Sequence, residues 1–351
     1  MVTETSDQVP AMSLAGLGWS DFFSQQLLPE EAGLQPMRIA TVHRSRMTAI
    51  APSGPVKLVI AANINTGEFA VGDWVLADPD SLLLQRRLAR KTVLQRRTEG
   101  SRAPQLAGAN IDTLFVVTSC NVEFNVARLE RYLALANEAG IVAVILLTKA
   151  DLAEDVAPYL AQASALQRGL AVVVCNPKTG NATNDLRAWC AAGQTVAVVG
   201  STGVGKSTMV NALAGSAQES PQQTGSIRER DAQGRHTTTS RSLHAIAGGG
   251  WIIDTPGMRT LHVSDATSGI EELFAEITEL APLCKFRDCT HAHEPGCAVR
   301  AAVADGRLDA DRLDRWRMMV NENRSNTPGQ VKPGGSRPTP HRRATRAVDT
   351  D

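Results

Sequence analysis

The 351-residue sequence predicts a multidomain chain with three folded parts: a small N-terminal β-barrel, an α/β P-loop domain and a small helical, metal-bound C-terminal domain. Three observations carry this expectation. Short β-type runs punctuated by turn residues fill 36–105. Apolar strands then alternate with helical stretches, with a glycine-rich phosphate loop at 200–208. Finally, three cysteines and a histidine crowd into 284–297.

The barrel is read from strands at 38–42, 56–60 and 73–76, spaced as small closed sheets require. Arg38, Arg44, Arg46, Lys57, Arg86, Arg87, Arg90, Lys91, Arg96 and Arg97 outnumber the acids of this segment. A phosphate-backbone surface is one expectation for them, and a solvated face the other. With few aromatics nearby, base stacking has little support.

From 111 onward, apolar strands at 112–119, 141–147, 171–175 and 195–199 alternate with helices, the pattern of a parallel sheet covered on both faces. The boundaries expected are 1–35 for a flexible leader, 36–105 for the barrel and 106–268 for the nucleotide domain. A helical zinc domain at 269–323 and a disordered tail at 324–351, rich in Pro, Gly, Ser, Thr and Arg, complete the chain.

Gly200, Ser201, Thr202, Gly203, Val204, Gly205, Lys206, Ser207 and Thr208 form a GxxxxGK[ST] loop between a strand and a helix. Glycines let backbone N–H groups face phosphates, and the helix N-terminus adds a positive end. Lys206 is expected on the β- and γ-phosphates and Ser207 on Mg²⁺. Asp254, which opens an Asp-Thr-Pro-Gly turn after the strand 251–253, is the second Mg²⁺ candidate, and Gly257 a γ-phosphate sensor. Thr148, Lys149, Ala150 and Asp151 form a TKxD segment, with Asp151 as guanine reader: a carboxylate accepts from both N1–H and the 2-amino group of guanine. Asn176 and Lys178 sit where a second base-contacting loop belongs. The base reader precedes the phosphate loop, the reverse of the ordinary order, so the domain is expected to be a circularly permuted GTPase.

Between the phosphate loop and Asp254 lies Gly-Arg-His-Thr-Thr-Thr at 234–239; Thr238 or Thr239 is expected to complete the Mg²⁺ shell with GTP bound. No Gln follows the Asp-Thr-Pro-Gly turn, so His236 is the one nearby candidate to orient water. Slow intrinsic hydrolysis, raised when a partner orders the loop, is the expectation.

Cys284, Cys289, His291 and Cys297 supply three thiolates and an imidazole within fourteen residues. Four soft donors suit one closed, structural Zn²⁺, with His293 as a substitute ligand. The charge balance, 36 Lys+Arg against 36 Asp+Glu, gives no hint of a nucleic-acid partner. No apolar run reaches membrane-spanning length and no signal-peptide pattern opens the chain, so a cytoplasmic protein with no membrane partner is expected.

Together these motifs, with Asn110 and its neighbours opening the domain and Glu294-Pro295-Gly296 before Cys297, resemble the ribosome small-subunit-dependent GTPase A family. The resemblance implies an OB-fold, a circularly permuted GTPase domain and a zinc-binding domain. It also implies a monomer that binds the small ribosomal subunit and its rRNA late in assembly, with subunit-stimulated GTP hydrolysis driving release. A nucleotide-switched RNA binder with little turnover, or an assembly factor for another ribosomal particle, are the alternatives. Two residues depart from the family pattern. Thr148 replaces a more common Asn, which implies loss of an amide that braces the phosphate loop. Pro177 lacks the N–H expected to reach guanine O6, so either a neighbouring amide such as that of Lys178 donates there or guanine preference rests more heavily on Asp151.

Overall fold

In the computed structural model, residues 12–96, 104–177, 182–214, 241–255 and 263–327 are described. Five strands build the barrel: β1 (Gln35–Val42), β2 (Met47–Ala51), β3 (Gly54–Leu58), β4 (Trp74–Ala77) and β5 (Leu84–Arg87). β1 pairs antiparallel with both β2 and β4, β2 with β3, and β4 with β5. A parallel bridge between Val59 and Leu83 closes the ring, so the strand order is 1-2-3-5-4-1, that of an OB-fold. A register shift between Ile39 and Thr41 bends β1 so that it can serve both neighbours. Met37, Ile39, Met47, Ala49, Val75 and Leu84 point inward and fill the barrel.

A hairpin of β6 (Val93–Arg96) and β7 (Gln105–Ala109), not expected from the sequence, leads into the α/β domain. That domain comprises β8 (Thr113–Ser119), α2 (Val126–Glu138), β9 (Val142–Thr148), α3 (Ala157–Ser164) and β10 (Ala171–Val174). It continues with α4 (Ala182–Asp185), β11 (Thr195–Gly200), α5 (Lys206–Ala214), β12 (Ser242–Ala245) and β13 (Trp251–Asp254). The sheet order is β10-β9-β8-β11-β13-β12, parallel except for β12. Every residue of β8 and β11 is buried, which is why both read as unbroken apolar runs. β12 also meets β1 through Thr41 and Ser242, so barrel and α/β sheet are continuous.

Four α-helices follow among the described residues: α6 (Thr267–Leu273), α7 (Ala275–Leu280), α8 (Ala298–Ala304) and α9 (Ala310–Asn326). Packing is continuous across the boundary expected at 268/269. Gly269 lies so close to α2 that a Cβ there would sit 2.0 Å from the Ala134 carbonyl oxygen. Its N–H donates to Glu138 Oε2 at 2.9 Å. α9 runs through Asn326, past the expected start of the tail at 324.

The leader expected to be flexible through residue 35 is packed from Met12 onward. Leu17 and Phe23 are buried, Trp19 stacks edge-on against Trp74, and the Trp251 indole N–H donates to Gly16 O at 2.8 Å. The segment holds one short α-helix, α1 (Asp21–Ser24), and a 3₁₀ turn at Pro29–Glu31, so single anchors rather than a periodic face fix it. Such anchoring leaves no pattern for sequence reasoning to detect.

Candidate functional site

The carboxyl ends of the parallel strands gather the predicted nucleotide residues, as open α/β sheets do. β11 ends at Gly200, whose φ of 142° and whose approach to Val117 O (2.2 Å from an added Cβ) exclude any side chain. Gly203 and Gly205 also take positive φ. Ser201, Thr202, Gly203, Val204 and Gly205 then lead into α5, where Thr208 lies in the first turn behind Lys206 and Ser207. Lys206 Nζ donates to the Ser201 carbonyl. Ser207 Oγ is buried and has no hydrogen-bond partner among the described residues. A buried hydroxyl at the start of a phosphate-loop helix fits a Mg²⁺ ligand, since such an oxygen rarely stays unsatisfied without a purpose.

Asp254, the last residue of β13, pairs in register with Val198, two residues before Gly200. Thr255 Oγ1 donates to Val198 O at 2.6 Å and ties this end of β13 to the phosphate-loop strand. Asp254 is thus held beside Ser207's loop. Gly257, Thr238, Thr239 and His236 lie outside the described residues, as does Lys178.

β9 ends at Thr148, and Lys149 follows in the left-handed region (φ 56°). That turn leaves Asp151 exposed at the sheet edge, in a short 3₁₀ turn. Thr148 corrects one expectation. Its hydroxyl is buried and donates to the Val204 carbonyl at 2.7 Å, with Thr118 O at 3.1 Å. The brace on the phosphate loop, expected to be lost with the amide, is made by the shorter hydroxyl. Asn176 and Pro177 follow β10 next to this turn, and the Cys175 N–H donates to Leu147 O at 3.0 Å.

Two contacts to this loop had no signal in the sequence. Arg128, on α2, donates to Ser201 Oγ. Tyr132, one turn later, meets the Gly200 backbone, and burial pushes its hydroxyl up to about 12. Both are ordinary helix residues whose partners lie far along the chain.

In the C-terminal part, the donor atoms of Cys284, Cys289, His291 and Cys297 lie within 4.8 Å of one another. Cys284 Sγ is 3.8 Å from Cys297 Sγ, and His291 Nδ1 lies 3.5 Å from Cys284 Sγ and 3.4 Å from Cys297 Sγ. A tetrahedron with Zn–S of about 2.3 Å has S–S edges of about 3.8 Å, so the cluster fits zinc. Burial works to raise the Cys284 thiol, but the N–H groups of Ala298 and Val299 together with hydrogen bonds from Cys297 and Cys289 lower its pKa. Cys297 caps α8, accepting from Arg300 N. Glu294 organises the loop by accepting from the Thr290 hydroxyl and from the N–H groups of Thr290, Ala292 and His293; the Thr290 hydroxyl first, then the Thr290 and His293 N–H groups, hold its carboxyl well below the usual range. His293 does not join the cluster.

The basic barrel surface is smaller than expected. Arg38 is buried, not surface: it donates to Leu17 O and Thr195 Oγ1, both at 2.6 Å, and burial lowers its pKa to about 10. Arg86 pairs with Glu31, Arg90 with buried Asp73 and Lys91 with Asp112. Arg44, Arg46 and Lys57 remain exposed, and Arg97 lies outside the described residues.

A family model described as RsgA GTPase matches residues 87–264. The chain is 67% identical over 325 residues to the small ribosomal subunit biogenesis GTPase RsgA of Mesorhizobium japonicum, covering 93% of this chain and 94% of that protein. The corresponding RsgA 2 of Vibrio vulnificus is 46% identical over 312 residues, 88% of each chain. Among solved structures, YjeQ from Thermotoga maritima is similar in fold, with a TM-score of 0.60 at 24% identity over 82% of this chain and 98% of that one. YloQ, a circularly permuted GTPase, gives a TM-score of 0.58 at 24% identity over 86% and 99%. With the Thr148–Asp151 turn preceding the phosphate loop in sequence and meeting it in space, and with these matches over most of its length, the chain belongs to the RsgA GTPase family.

Proposed function

We propose that GTP lies along the carboxyl ends of β9, β10 and β11, and that its hydrolysis times release of this protein from the small ribosomal subunit. As a member of its family the chain is a GTP hydrolase acting in small-subunit biogenesis. In the proposed complex, Asp151 accepts from guanine N1–H and the 2-amino group, while Lys149 packs along the base. Asn176 and Lys178 flank the base. Backbone N–H groups of 203–208 cradle the phosphates, and Lys206 neutralises the β- and γ-oxygens. Ser207 and Asp254 hold Mg²⁺, together with Thr238 or Thr239; the ion offsets the charge of the β- and γ-phosphates. Gly257 senses the γ-phosphate, and His236 orients the attacking water.

The C-terminal cysteines and His291 hold one structural Zn²⁺. Arg44, Arg46 and Lys57, all exposed on the barrel, and half-buried Arg87 meet rRNA phosphates, and the protein works as a monomer. No described helix is long and apolar enough to cross a membrane.

The observation that carries this reading is the convergence of Thr148, Lys206, Ser207 and Asp254 on one sheet edge. Two long-range bonds, Thr148 to Val204 and Thr255 to Val198, tie that edge together. GTP turnover measured alone, with purified small subunits and with purified large subunits tests it. Stimulation by small subunits alone is expected. Equal rates in all three conditions would refute subunit-timed release, and stimulation by large subunits would redirect it to another particle.

A further inference from the structure

Ser201 is held from two sides. Its carbonyl accepts from Lys206 Nζ, and its hydroxyl accepts from Arg128. Lys206 is the side chain that reaches the phosphates, so the orientation of Ser201 decides where that ammonium is presented. Arg128 is itself fixed. It extends from the first turn of α2, which Asn125 caps by accepting from the Arg128 N–H at 2.9 Å. Its second guanidinium nitrogen donates to Glu123 O at 3.0 Å. One turn on, Tyr132 meets the Gly200 backbone, the residue before Ser201.

The helix cannot easily rock away from the loop. Gly269 of α6 lies against its backbone, and buried Glu130 pairs with Arg312 and Arg315 of α9. α2 is therefore a rigid mount that carries one arginine to one phosphate-loop hydroxyl.

We propose that Arg128 is a positioning residue for GTP: through the Ser201 hydroxyl it fixes the carbonyl that presents Lys206 to the β- and γ-phosphates. Lys206 meets these oxygens in the bound substrate as well as during hydrolysis. Loss of its support weakens binding of both and appears mainly in KM rather than kcat. The inference rests on the GTP site described above, and its failure is separable from that site's: loss of nucleotide binding in Lys206→Ala tests the site, whereas a double-mutant cycle tests Arg128.

The experiment measures KM and kcat for GTP, and affinity for a fluorescent GDP analogue, in the full zinc-loaded chain. The variants are Arg128→Ala, Arg128→Lys, Ser201→Ala and the Arg128→Ala/Ser201→Ala double variant. Hydrogen bonds to charged groups make a KM rise of about tenfold the expectation for Arg128→Ala and for Ser201→Ala, with kcat changed less than about threefold. The double variant should lose no more than either single one, because both act on one contact. Arg128→Lys, which keeps the charge and one donor, should recover part of the affinity. Ser201→Ala removes only the hydroxyl and leaves α2 untouched, so it keeps the test informative even if Arg128→Ala perturbs α2. Losses that add in the double variant, unchanged KM in both single variants, or a fall in kcat at constant KM would each overturn the proposal.

Discussion

Glu130 of α2 and Arg312 of α9 pair at 2.8 Å with the carboxylate wholly buried, 182 positions apart in the chain. Arg315 reaches the same carboxylate at 3.0 Å. Arg312 also donates to Glu276 and to the carbonyls of Leu166 and Leu273, and lies 4.1 Å from the Phe274 ring centroid. One guanidinium thus joins the α/β domain to three of the C-terminal helices.

Removing Glu130 leaves Arg312 with Glu276 as its one remaining carboxylate among the described residues and takes this carboxylate from Arg315, and that penalty exceeds what the pair itself contributes. Glu130→Ala is expected to cost about 3–5 kcal/mol of stability, read from urea unfolding followed by far-UV circular dichroism. Replacing Glu130 and Arg312 together by apolar residues should recover much of the loss. A double variant as unstable as the sum of its parts would show that the network matters through other contacts.

Thr148 offers a cleaner substitution, since Val keeps its shape and deletes only the hydroxyl. Thr148→Val leaves the Val204 carbonyl without its donor, at a cost of about 1–3 kcal/mol. Nucleotide affinity should drop by roughly tenfold in titration calorimetry, whereas Thr148→Asn should hold it near wild type. If Val binds GTP as tightly as Thr does, the brace has no bearing on the nucleotide.

Base choice is expected to rest on Asp151. In Asp151→Asn the side chain presents a donor where guanine N1–H also donates, and xanthine, with its 2-oxo group, fits better. Competition of XTP against GTP for the variant should shift toward XTP. Retained GTP selectivity would move the reader elsewhere in the turn.

Zinc content should be one per chain by elemental analysis and fall in Cys297→Ser. Thiolates and a neutral imidazole are the ligands, so protons compete with the metal and affinity weakens as pH falls. Stripping by a chelator should therefore go faster at pH 5 than at pH 8. It should be accompanied by loss of the helical signal of α8, whose N-terminus Cys297 caps, and of α9, whose Trp316 packs against the His291 ring. Metal loss without any change in helicity would make the ion incidental to the fold.

The sequence carried the parts whose chemistry is local. A phosphate loop needs glycines and a lysine at fixed offsets, and a closed metal site needs four soft donors close together, so both clusters of residues could be read directly. Strand positions in the α/β domain were equally clear, because double-sided burial forces continuous apolar runs such as Thr113–Ser119. What escaped were the residues whose meaning lies in a distant partner. Arg38 looks like one of many surface arginines, yet it holds Thr195 at the base of the phosphate-loop strand. Arg128 and Glu130 sit on a regular helix, and periodicity identifies a face without saying what covers it. The leader from Met12 was missed for the related reason that it packs through isolated anchors.

The meeting of Thr41 and Ser242 has one further implication. β12 is hydrogen-bonded along one edge to β13, which ends at Asp254, and touches the barrel at the other. A strand's side chains alternate between faces, so a slip of one residue would turn His244 and Leu243 to the wrong sides of the sheet. β12 is therefore pinned, and with it the distance between barrel and phosphate loop. The barrel acts as a fixed datum for the nucleotide: whatever the first domain grips, the second is held to the same coordinates, as a gauge is to its zero.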